Sequence, residues 1–147
     1  MKPIVLILPG HVIPSWNVVS REHWSKTRAR RKADAHEVWA AKCDRRRTLP
    51  EPDPPPGRRR VTITSYRRRL IDVDNLSAKA IVDSLRDNRL LVDDSPEWVE
   101  AVTVEQFKIA KGETPRTVVT IEDANKENRR GDLTACVKRV KLKTYYG

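Results

Sequence analysis

The stretch RVTITSYRRRLIDVDNLSAKAIVDSLRDNRLLVDD, residues 60–94, decides how this chain is read. Arg60-Val-Thr-Ile-Thr-Ser-Tyr66 alternates apolar and polar residues, the period of a half-buried strand, and it ends at Arg67-Arg68-Arg69. The period then changes. Ala78, Ile81, Val82 and Leu85 fall at i, i+3, i+4 and i+7, so a helix running from near Asn75 to about Asn88 is expected, with those four residues buried. On that helix Asn75, Lys79, Asp83 and Arg86 would share a polar stripe, with Lys79 and Asp83 close enough to pair. Acids bracket the helix: Asp72 and Asp74 before it, Asp93 and Asp94 after it. The later pair rejoins the earlier one only if the chain folds back after Arg89.

Working outward, Lys2–Pro9 is an aliphatic run bounded by prolines and reads as a first strand, and Gly10–Asn17 as a loop. From Ser20 to Cys43 there is no Gly or Pro. This segment reads as a long basic helix with Trp24, Ala35, Val38 and Trp39 near one face and Arg28, Arg30, Arg31 and Lys32 crowding the rest. Five prolines between Pro50 and Pro56 exclude helix or central strand, so residues 44–57 are an internal surface loop. Val99–Ile109 and Arg116–Glu122 are further strands, with Lys111-Gly112-Glu113-Thr114 expected as a hairpin turn between them. The expectation is a single α/β (α+β) domain over residues 1–122, with a mixed sheet of four to five strands and two main helices. Residues 123–147 form a basic polar tail, partly disordered or adding an edge strand over Val137–Thr144.

The composition limits the function classes. The chain has 147 residues, 34% of them charged, and a net charge of +10. Residues 1–60 hold 14 basic and 6 acidic residues, residues 61–100 hold 6 and 8, and residues 101–147 hold 10 and 6. An acidic centre is thus flanked by positive charge, which points to a polyanionic partner, nucleic acid first. No apolar run approaches the ~18 residues that span a bilayer, so no membrane partner is expected. Cys43 and Cys136 have no metal-ligand spacing and read as reduced thiols of a cytoplasmic protein.

Carboxylates gathered in a basic chain repel one another unless a cation sits among them. Two at i and i+2 on an extended segment point to one side, so Asp72 and Asp74 can offer oxygens to a hard cation. Oxygen-only donors suit Mg²⁺, with Mn²⁺ able to substitute, and not zinc. Such an ion activates water for attack on a phosphodiester, and a nearby lysine stabilises the charge that develops. The plain alternatives are a solvated turn with Asp74 as a helix cap, an Asp93-Asp94-Ser95-Pro96 turn, and a surface Lys79–Asp83 pair. Arg67, Arg68 and Arg69 are candidates to clamp phosphate, and Arg28, Arg30, Arg31 and Lys32 to contact a DNA backbone. His23 near the helix start is either a phosphate contact or a packing residue. Trp16 and Trp24 are open to stacking on a base, although Trp24, Trp39 and Trp98 also read as core.

Asp72-Val-Asp74-Asn75-Leu76, Lys79 four residues before Asp83-Ser84-Leu85, and the apolar run into Asp93-Asp94 resemble the RusA family of Holliday-junction resolvases. Leu8-Pro9 and Pro14-Ser15-Trp16-Asn17, followed by a basic helix, fit the start of that family, and the likeness covers roughly residues 3–122. The resemblance implies a homodimeric, Mg²⁺-dependent endonuclease that places paired nicks in branched, four-way DNA during recombination and repair. It implies that Asp72, Asp74 and one of Asp93 and Asp94, with Asp94 favoured, bind the metal and act in catalysis. Lys79 would be the essential basic residue, with Asp83 and Asn75 in support. Three features depart from the family pattern: one extra residue between Asp74 and Lys79, the longer proline-rich segment, and the tail. A non-catalytic DNA-binding protein and a metal-dependent nuclease for other branched DNA or RNA are the rival readings.

Overall fold

A computed structural model of the protein describes residues 3–44 and 57–124. The proline-rich residues 45–56, Cys136, the candidate edge strand Val137–Thr144 and the rest of the tail lie outside the described residues. Four strands, β1 (Ile4–Pro9), β2 (Arg59–Arg67), β3 (Val99–Lys108) and β4 (Arg116–Asp123), form one mixed sheet in the order β1-β4-β2-β3. Three helices accompany it: α1 (Trp16–Arg21), α2 (Trp24–Asp44) and α3 (Lys79–Asp87). The architecture is a single α+β domain with the expected mixed sheet, and the short α1 adds to the two main helices.

Strand periodicity builds the core. Ile4, Leu6 and Leu8 of β1, Val61, Ile63 and Ser65 of β2, and Thr117, Val119 and Ile121 of β4 all point to one side of the sheet and are buried. Against that side pack Val38 and Ala41 of α2, Ile81 and Leu85 of α3, and Ile13, Ala78, Leu90 and Leu91 from the connections. Ala78, Ile81 and Leu85 are buried, and Val82 packs at the edge, as their helical spacing required.

The expected β3–β4 hairpin does not form. β3 runs parallel to β2, with Val61 opposite Val102 and Ser65 opposite Gln106, while β4 lies antiparallel between β1 and β2. Lys111–Thr114 therefore belongs to a connection that crosses from one side of β2 to the other. The side chains explain the order. Thr117, Val119 and Ile121 suit a central strand, whereas β3 carries Glu100, Glu105, Gln106 and Lys108, which an edge tolerates.

Both main helices differ from expectation at identifiable points. The buried stripe of α2 is Asp34, Val38 and Ala41, and Trp24 and Trp39 are 68% and 50% exposed. Trp39 follows Val38 by one position, about 100° around the helix, which turns it to solvent. Helix α3 begins at Lys79, not Asn75, because the preceding residues are used elsewhere. Val73–Asn75 form a 3₁₀ turn, Leu76 makes an antiparallel bridge with Ser15, and the Ser77 N–H donates to the Pro14 carbonyl (3.2 Å). At its other end α3 closes with Arg89 in the left-handed region (φ 58°). The Arg89 N–H donates to the Arg86 carbonyl and the Leu90 N–H to the Leu85 carbonyl, each at 2.9 Å. These bonds satisfy helix-end carbonyls while Leu85 and Leu90 stay buried. The chain reverses there and feeds the start of β3.

Candidate functional site

Asp72 and Asp74 lie in the connection that leaves the carboxyl end of β2. Asp72 is extended (φ −59°, ψ 140°) and its carbonyl accepts the Asn75 N–H (2.9 Å), which closes the 3₁₀ turn. Asp72 is the extended residue that enters the turn and Asp74 lies inside it, so the two do not sit on one extended segment as the sequence spacing assumed. Both aspartates are exposed, and neither carboxylate has an ion-pair or hydrogen-bond partner among the described residues.

Hydrogen bonds tie the segment before the turn to β3 and to the loop before α1. The Ile71 N–H donates to Gln106 Oε1 (3.1 Å), and Gln106 Nε2 donates back to the Ile71 carbonyl, fixing the residue before Asp72 to β3. Arg67 Nε donates to the Arg69 carbonyl (2.8 Å) and Nη1 to the Ile13 carbonyl (3.1 Å). Burial lowers the Arg67 pKa from its usual value. Arg67 is therefore a brace for the connection, whereas Arg68 and Arg69 are exposed beside it and remain available to phosphate.

Lys79, exposed at the first turn of α3, stays at the same end of the crossover as the acid turn. Asp83 does not pair with it. It is buried, and its Oδ2 accepts from Arg31 Nη2 of α2 (3.2 Å). Asp93 and Asp94 follow the chain reversal to the other end of α3. Asp94 Oδ1 accepts from Arg86 Nη1 (3.2 Å) and raises the arginine's pKa. The Ser95 hydroxyl, then the Asp94 backbone, hold Asp93 below the usual carboxylate range. Ile71 is fixed at Gln106, while Asp94 precedes the turn into Val99 at the start of β3. Seven residue steps of about 3.3 Å put Val99 and Gln106 ~23 Å apart. Asp72, Asp74 and Asn75 thus share one turn with Lys79 four residues beyond it at the start of α3, whereas Asp94 lies against Arg86 in the last turn of that helix.

Among the described residues no three His, Cys, Asp or Glu side chains form a metal-holding group. Asp72 and Asp74 still supply oxygen donors, the donor type that Mg²⁺ and Mn²⁺ take. These ions commonly take one or two carboxylates and complete their shell with waters and substrate phosphate, and the donors here are oxygens open to solvent.

The basic helix residues divide by role. Arg30 pairs with Glu22, Arg31 with Asp83, and Arg28 and Lys32 are exposed on α2. His23 caps that helix: its carbonyl accepts the Lys26 N–H (2.9 Å), and its Nδ1 accepts the Ser25 N–H (3.3 Å) while its ring lies 5.4 Å from that of Trp24. Cys43 is a free thiol. No helix among the described residues is long and apolar enough to cross a membrane.

One cluster was not legible in the sequence. His11 Nδ1 meets Thr117 Oγ1 and His11 Nε2 meets Asp34 Oδ1, each at 2.8 Å, in a nearly closed interior. The three residues come from a loop, a strand and a helix, so no local spacing marks them. The only signal available was an acid on the apolar stripe of a helix, Asp34 four residues before Val38. No known protein family matches the chain, and no curated protein is similar to it.

Proposed function

We propose that the protein is a Mg²⁺-dependent endonuclease for branched DNA that nicks four-way junctions. The observation that carries this reading is the braced turn of two exposed, unpaired carboxylates at the carboxyl end of β2, in a chain of net charge +10. Ligands of open α/β sheets commonly bind outside the carboxyl ends of strands. Opposed to a polyanion, free carboxylates are unfavourable unless a cation bridges them to phosphate.

In this reading Asp72 and Asp74 hold the metal, and Asn75 orients the turn. A divalent ion so held supplies an activated water and neutralises charge on the leaving oxygen. Lys79 places its ammonium by the scissile phosphate and stabilises the negative charge that develops there. Arg68 and Arg69 align the strand, while Arg28 and Lys32 contact the backbone farther away and set salt dependence more than sequence choice. Asp83 acts through Arg31 and the packing of α2 on α3. Asp93 and Asp94 enter the same turn only if a second copy brings them there. A two-fold dimer would present two acid turns to the two equivalent strands of a junction. Recombination and repair in the cytoplasm are the corresponding setting.

The test gives the purified protein a labelled four-way junction, a linear duplex and a single strand, with Mg²⁺ or with EDTA. Mg²⁺-dependent cutting confined to the junction supports the reading, and equal cutting of all three removes the junction specificity. Binding without cutting under any condition leaves a DNA-binding protein. Asp72→Asn is expected to abolish cutting while binding the junction as well or better, because one charge facing phosphate is gone.

A further inference from the structure

Trp16 opens α1 with 53% of its surface exposed, an unusual place for the largest apolar side chain. The segment carrying it is sewn to the acid turn. Ser15 bridges Leu76, the Pro14 carbonyl accepts the Ser77 N–H, and the Ile13 carbonyl accepts from Arg67 Nη1. These contacts put residues on both sides of Asp72–Asn75 in register with the residues just before the indole. Val73 inside the turn is 46% exposed, so the acid turn itself carries an apolar side chain.

We infer that Trp16 stacks on an unpaired nucleobase next to the phosphate held at the Asp72–Asp74 turn, and so selects DNA whose bases are open at a branch. The inference rests on the proposed nuclease reading. The occupant follows from charge complementarity. Arg68 and Arg69 before the turn and Lys79 after it are exposed cationic groups suited to phosphates, and the flat apolar surface that accompanies phosphates is a base. In continuous duplex both faces of a base are stacked, so an indole gains a face only where pairing has opened. Trp39 supplies an internal comparison: it is 50% exposed, but it stacks on His36 fifteen positions further along α2 from Trp24. That distance is about 22 Å along the helix, towards the end where Lys42 Nζ donates to the Asn88 carbonyl (2.6 Å).

The experiment measures binding in EDTA, so cleavage plays no part. The probes are a linear duplex and a forked DNA of the same sequence with 2-aminopurine at the first unpaired base. Wild type should bind the fork more tightly and change the probe's fluorescence. Trp16→Ala should weaken fork binding by roughly five- to a hundredfold, the cost of losing one base–aromatic stack. It should leave duplex binding within about twofold, with Trp16→Phe restoring most of the loss and Trp39→Ala changing neither. Circular dichroism of each variant checks that the fold is intact. Equal losses on both probes, no loss on either, or a change in sedimentation that makes Trp16 a contact between copies would each overturn the inference. The nuclease reading fails separately, if wild type shows this selective binding but cuts nothing with Mg²⁺.

Discussion

Replacing Asp34 by alanine removes a carboxylate whose side chain is 6% exposed and which faces a histidine that is 10% exposed. The Thr117 hydroxyl donates to the His11 carbonyl (3.1 Å) and meets His11 Nδ1 at 2.8 Å. Nε2 has Asp34 Oδ1 as its partner at 2.8 Å, and in alanine's presence it has none. A hydrogen bond to a charged group contributes about 1.5–3 kcal/mol, and leaving a buried polar atom unpaired costs a further ~1–3 kcal/mol. Part of this is recovered because Asp34 Oδ2 has no partner among the described residues, so the wild-type site already carries one unsatisfied oxygen. The net expectation for Asp34→Ala is a loss of about 2–4 kcal/mol. With a urea slope of about 2 kcal/mol per molar, the unfolding midpoint should fall by ~1–2 M at unchanged slope. The double variant His11→Leu/Asp34→Leu should recover most of the loss, since apolar replacement of a whole buried pair is often neutral. A loss under ~0.5 kcal/mol for Asp34→Ala, or a double variant worse than both single ones, would refute the reasoning.

Two other consequences can be measured on the same purified protein. Ser65 is fully buried and its hydroxyl has no partner among the described residues, so Ser65→Ala should raise stability by about 1 kcal/mol in urea unfolding; a loss would mean that the hydroxyl is satisfied. Asp93, held low chiefly by the Ser95 hydroxyl, stabilises the fold above the unfolded carboxyl value near 4 and loses that contribution as pH falls through its lower folded value. Ser95→Ala should therefore separate from wild type most at neutral pH and converge with it in acid, and a gap that widens on acidification would contradict this.

Much of the local structure was legible because its cause is local. Alternation over Arg60–Tyr66 and the Ile81–Leu85 spacing report which side of an element faces apolar neighbours, and both survived folding. The start of α3 was not legible, because residues 76 and 77 are taken up by backbone pairing with Ser15 and Pro14, about sixty positions away. The Lys79–Asp83 pair failed for a similar reason. An i, i+4 spacing offers a partner, but Arg31 on the packed neighbouring helix reaches Asp83 instead. The sequence singled out the acids, but their grouping depended on the direction of the crossover.

By itself the sequence determined an α+β domain, the approximate extents of its strands and long helices, a basic surface, and the presence of acids in residues 72–94. Those follow from periodicity and composition, which each short segment carries alone. Tertiary structure decided that β4 lies between β1 and β2, that Trp16 stands beside the acid turn, and that Asp93 and Asp94 sit at the other end of α3. These depend on pairings across the chain, such as Ile7 with Val118 and Ser65 with Gln106. The free energy of such a pairing belongs to two distant segments together, so neither segment's sequence specifies it.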